Sequence, residues 1–142
     1  MPTTALVLAL ALTATLQAPP GAMRARLSPV PVDATTQAAI TGLGSATATL
    51  AGTTLTVEGR YKGLQSAATT VRVFQSPHRG LRGPLVGQFA VAAGATAGAF
   101  SGTVALTREQ ATAFAAGLLY VQVQSEKAPD GNLWGWLIPQ ER

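Results

Sequence analysis

Residues 45–61 read SATATLAGTTLTVEGRY, and this stretch sets the fold class. Ala46, Ala48 and Leu50 fall on one side of an extended chain, Thr47 and Thr49 on the other. After Ala51-Gly52, Leu55, Val57 and Tyr61 oppose Thr54, Thr56, Glu58 and Arg60. Side chains alternate between faces along a strand, so a period of two rich in β-branched residues marks a half-buried strand. Two such runs joined by a Gly-bearing turn predict a β-hairpin.

The same period recurs downstream. Strands are expected over Thr69–Gln75, Pro84–Val91, Ala97–Leu106, Leu118–Gln124 and Asn132–Ile138, with Pro129-Asp130-Gly131 as the turn before the last. One helix interrupts them. Thr107-Arg108-Glu109-Gln110 fits a capping box, Ala111, Phe114, Ala115 and Leu118 follow at helical spacing, and Gly117 is placed to end the helix in a left-handed turn. Seven strands, each with one apolar side, predict an all-β, antiparallel two-sheet sandwich of seven or eight strands with one short α-helix. The Greek-key, immunoglobulin-like and superoxide-dismutase-like versions all fit this pattern. Pro29, Pro31 and the small residues of 33–44 suit an extended segment, residues 23–43, lying along a sheet edge; the sandwich then fills 44–142.

Composition narrows the function classes. The 142 residues contain no Cys and one His, which excludes disulfides, thiol catalysis, iron–sulfur clusters and Cys- or His-rich metal centres. Ten Lys/Arg against six Asp/Glu give a net charge of +4, but with only 11% charged residues the chain lacks the dense basic coverage of a nucleic-acid binder. No Gly-x-Ser-x-Gly elbow surrounds any Ser, and a triad could use only His78. No cofactor and no enzymatic activity are expected. Ala5–Leu16 is an uncharged apolar run of twelve, too short to span a bilayer, and Gln17-Ala18-Pro19-Pro20-Gly21-Ala22 follows it. That order is the one found in secretory signal peptides, so residues 1–22 are expected to direct export to the periplasm or exterior, leaving no membrane span after their removal.

The order of segments resembles the CHRD domain, named for chordin. Gly44-Ser45-Ala46-Thr47-Ala48-Thr49-Leu50 with Thr53–Val57 is similar to the family's Gly-Thr-Ala-rich hairpin, and Gly63-Leu64 to its Gly-Leu step. Gly83-Pro84-Leu85-Val86, Leu106-Thr107, Ala116–Val121 and Pro129-Asp130-Gly131 with Gly135 match later segments in the same order. The chain departs from the family elsewhere. Arg72-Val73-Phe74 stands where His-x-His is usual, Gln122-Val123-Gln124-Ser125 where Asn-Val-His-Thr is usual, Trp134 replaces an Arg, and Pro29-Val30-Pro31 is a reduced Glu-Val-Pro-Pro. The resemblance implies an exported, non-enzymatic β domain, and any role of the family's His residues does not transfer.

If Val71, Val73, Val121, Val123, Leu133 and Leu137 face the core, Arg72, Phe74, Tyr120, Gln122, Gln124, Trp134 and Trp136 share the opposite face. Outward Trp and Tyr beside Gln and Arg make an amphipathic platform able to stack a sugar ring or anchor a partner. The competing reading places these aromatics beneath the helix or the N-terminal segment as a second small core. Arg79 and Arg82, in the basic turn Ser76–Arg82, add planar donors for a carboxylate, sulfate or phosphate, or simply solvate the turn. The expectation is a binding or structural module of the cell envelope or extracellular space. Its partner is a protein or glycan there, or a second copy of itself. The alternative is a dedicated carbohydrate or polyanion binder, and a superoxide-dismutase-type enzyme fails for want of His.

Overall fold

The computed structural model describes residues 22–91 and 95–139. The expected export segment, residues 1–22, lies outside them apart from Ala22. Nine strands and one helix follow in order: β1 (Met23–Pro29), β2 (Leu43–Ala51), β3 (Thr54–Lys62), β4 (Ala68–Gln75), β5 (Leu85–Ala90), β6 (Gly98–Ala105), α1 (Arg108–Ala115), β7 (Leu119–Ser125), β8 (Leu133–Trp136) and β9 (Ile138–Pro139). All strand pairs are antiparallel. The hairpin read from residues 45–61 is β2–β3, with Ala51 opposite Thr54 and Gly52 at φ 62° in its two-residue turn.

The strands form one sheet in the order β5-β4-β7-β8-β1-β2-β3-β6, with β9 beside β1. This corrects the two-sheet sandwich to a nearly closed barrel, and it corrects the place of residues 23–29. The N-terminal segment is not an edge: β1 is the seam that turns two sheets into one. Met23–Leu27 pair with β2, while Ser28 and Pro29 pair with Trp134 and Leu133 of β8. The β9 pairs, Arg24 with Ile138 and Met23 with Pro139, continue the β8 register, so β8 and β9 are one bent line alongside β1. Within β8, Gly135 lies so close to the Arg26 carbonyl that any Cβ would clash with it and press on the Leu27 side chain. The sequence pattern hides this because Pro29 and Pro31 suggest an edge, whereas a Pro at a strand's last position disturbs few ladder bonds.

On the far side β5 and β6 meet through side chains. A Cβ on Gly87 would strike Val104, and one on Gly102 would strike Phe89, so each glycine opens room for the opposing strand's side chain. Inside, Leu27, Leu55, Val57, Val71, Val73, Leu119, Val121, Val123, Leu133 and Leu137 are fully buried, each contributing about 1.5–3 kcal/mol of hydrophobic stabilisation. The six residues expected to face the core do so. At α1, Thr107 Oγ1 accepts from the Gln110 N–H and Gln110 Oε1 accepts from the Thr107 N–H, closing the capping box. Gly117, at φ 75°, ends the helix with its N–H on Phe114 O and that of Leu118 on Ala113 O.

Between β1 and β2 the chain crosses the outside of the barrel. Asp33 Oδ1 accepts from the N–H groups of Thr35 and Thr36 and from both hydroxyls, which holds its carboxyl below the usual aspartate range and folds residues 33–39 into a tight turn. Val30 and Ile40, at the two ends of this strap, bury themselves with Ala128, and Trp134 packs against them.

Candidate ligand-binding face

Register alone brings the candidate residues together. On the outer side of the sheet, Gln88, Arg72, Gln122, Trp134 and Ser28 form one cross-strand rung over β5, β4, β7, β8 and β1. The next rung is Phe74, Tyr120 and Trp136. Directly opposed side chains on one face touch, and the rings do so here. Phe74 stacks on Tyr120 at 5.1 Å between centroids, Trp136 lies 4.9 Å from Tyr120, and Trp134 meets Trp136 at 4.7 Å nearly edge-on. Tyr120, at the centre, is 1% exposed; Trp134, Trp136 and Phe74 are half-buried.

The face is therefore not a flat open platform, and the two readings of the aromatics divide it. Trp134 packs against the small second core of Val30, Ile40 and Ala128, whereas Trp136 joins it only through Trp134 and Tyr120. Tyr120 is hidden by the loop after β4, whose Gly83 N–H donates to the tyrosine oxygen at 3.2 Å. Gln122 and Gln124, expected outward, are 1% and 4% exposed. Gly131 of the β7–β8 turn sits directly over the Gln122 amide with Val30 on its other flank, and the Gln122 oxygen accepts weakly from Gln124 Nε2 at 3.4 Å. Among the described residues, Gln122 Nε2 and Trp136 Nε1 are buried donors without an acceptor. Such groups are uncommon in native proteins and carry a desolvation penalty.

The arginines separate. Arg72 donates from Nε to Gln88 Oε1 at 3.1 Å within its rung. Arg82 donates to the Asp130 carbonyl at 3.2 Å and holds its guanidinium 5.5 Å from the Trp134 ring centre, a cation–π distance. Arg79 is elsewhere: its Nε reaches the Gly117 carbonyl at 3.3 Å, where it complements the negative end of α1. It is a helix cap rather than a member of the face.

One residue that sequence reasoning passed over organises the cover. Asn132 is fully buried; its carbonyl accepts the Val30 N–H, its Nδ2 donates to the Thr41 carbonyl, and its Oδ1 accepts from Ser125 Oγ. It ties both ends of the strap to the β7–β8 turn. The available signal is an Asn directly after Pro-Asp-Gly, a position where local turn chemistry alone accounts for the residue. Arg26 was also passed over. The shared register of β8 and β9 places it beside Trp136, on the exposed side of β1.

Chemically, this face can stack rings and donate hydrogen bonds. Among the described residues no group of three or more His, Cys, Asp or Glu side chains gathers anywhere. No curated protein and no solved structure matches the chain. A family model does, the one described as the CHRD domain, and it aligns with residues 15–137. Its span covers the whole β1–β8 barrel, including the hairpin, the capped helix and the aromatic strands, and the chain belongs to the CHRD domain family.

Proposed function

We propose that the protein is an exported, non-catalytic CHRD module of the cell envelope or extracellular space that binds a glycan through the outer face of β4, β7 and β8. The supporting observation is the ring cluster itself. Trp136 and Phe74 keep part of their surfaces in solvent around the buried Tyr120, and Arg82 lies over Trp134. Half-exposed aromatics held rigidly by their neighbours offer a stacking surface at little entropic cost. Export rests on the apolar run Ala5–Leu16 and on family membership.

A glycan array probed with the purified protein, followed by tryptophan-fluorescence titration of each hit, tests the binding role. A saturable change that Trp136→Ala abolishes without lowering the melting temperature supports it. A Trp136→Ala protein that melts far lower would instead assign the cluster to structure. Mass spectrometry of the protein from its host tests export: loss of the residues before Met23 is expected, because cleavage beyond it would remove β1 pairs with β2 and β9.

A further inference from the structure

The rung that carries Phe74, Tyr120 and Trp136 does not end at β8. Register continues it over the seam: Arg26 of β1 follows Trp136, Arg26 faces Ser45 of β2, Ser45 faces Arg60 of β3, and Arg60 faces Ala99 of β6. Arg26 and Arg60 are both exposed. At about 4.8 Å per strand step, the line from Phe74 to Arg60 covers about 24 Å around the outside of the barrel.

Beyond β1 the surface changes in two ways. Most flanking side chains become small, with Ser45, Ala99 and Ser101 beside the long β3 residues and Leu43 the exception, and a shallow groove lies on either side of Arg60. One, of about 450 Å³, runs between Glu58 and Arg60 over Ser45, Ala99 and Ser101. The other, of about 540 Å³, runs between Arg60 and Lys62 over Leu43, Gly44 and Gly98. The charge also becomes one-sided. The outer faces of β1 and β3 carry Arg24, Arg26, Arg60 and Lys62 against a single carboxylate, Glu58.

We propose that this line is one track for an extended acidic polysaccharide, with sugar rings over Trp136 and Phe74 and carboxylates at Arg26 and in the Arg60–Lys62 groove. The proposal rests on the glycan-binding reading and extends it by naming the ligand class and a second half of the surface. Charge decides between the grooves: Glu58 repels an anion from the first, while Arg60 and Lys62 both attract it to the second. Aromatic rings and guanidinium forks side by side suit a polymer that is both ring-built and anionic better than a nucleic acid, which would call for a denser basic surface.

The test uses the full chain and three polymers: polygalacturonate, neutral dextran and single-stranded DNA. Polygalacturonate is expected to bind, and to bind less tightly as salt rises. Arg26→Ser with Arg60→Ser should weaken it roughly tenfold or more and flatten the salt dependence, with an unchanged melting temperature because both side chains are exposed. Trp136→Ala should weaken it independently. If the double arginine variant binds as tightly as the parent, or dextran binds as well as polygalacturonate, the acidic track is wrong while the aromatic site can still stand. If the arginine variant loses affinity and Trp136→Ala does not, the aromatic reading beneath it fails. DNA binding equal to polygalacturonate, or no binding of polygalacturonate, overturns the proposal.

Discussion

Strands β3 and β7 are both interior strands with alternating sequences, yet β3 buries only Leu55, Val57 and Tyr61 while β7 buries all seven of its residues. Both present apolar side chains inward. The difference lies outside: β3 faces solvent with Thr, Glu, Arg and Lys, whereas β7 carries Tyr120, Gln122 and Gln124 beneath the strap, the β4–β5 loop and the β7–β8 turn. Period-two alternation reports which side a residue points to. Whether that side is wet depends on chain segments far away in sequence.

The comparison is broken first at the shared interior. Val123→Asp and Val57→Asp should both prevent folding, because an unpaired buried carboxylate costs several kcal/mol, and circular dichroism should show the same loss for each. A folded Val57→Asp protein would mean that the β3 half does not share the core. The outer positions should then part company. Gln124→Asp is expected to destabilise by about 2–4 kcal/mol, because the new charge sits 4% exposed, while Thr54→Asp on exposed β3 should stay within about 0.5 kcal/mol. Equal denaturation midpoints for these two would show the outer face of β7 to be open.

The strap sharpens the contrast at a smaller scale. Asn132→Ala removes both side-chain hydrogen bonds, to Ser125 and Thr41, while keeping the main-chain carbonyl that accepts from Val30, and should cost about 1–3 kcal/mol in urea unfolding. The smallest effect belongs to Asp33. Its carboxyl is held below the usual range by the Thr35 and Thr36 bonds, so its stabilisation is present above that range and lost as pH falls through the lowered value. Asp33→Asn should therefore lie slightly below the parent at neutral pH and converge with it in acid.

Much of this was legible in the sequence. All seven strands expected between residues 45 and 138, the capping box at Thr107 and the left-handed stop at Gly117 are present, because each rests on local periodicity or local hydrogen bonding. The gathering of Arg72, Phe74, Gln122, Trp134 and Trp136 on one face was equally legible, since alternation and a short β7–β8 turn suffice to place them. Closure was not. It depends on Gly87 and Gly102 admitting Val104 and Phe89, and on β1 joining two strands at once, which are relations between distant segments. The place of Arg79 away from that face was not legible for the same reason: its partner is the end of a helix 38 residues away.

The seam at β1 also has a kinetic consequence. Its pairing with β2 spans only the strap of residues 30–42, but its pairing with β8 and β9 joins the first described strand to the last. Contacts so distant along the chain are entropically slow to form, so the hairpins β2–β3 and β4–β5 should be structured well before the circle closes. Substitutions at Gly135, where β1 and β8 press together, should then accelerate unfolding far more than they retard folding. The last joint made should then be the first to open, and the lifetime of the native state should be set there.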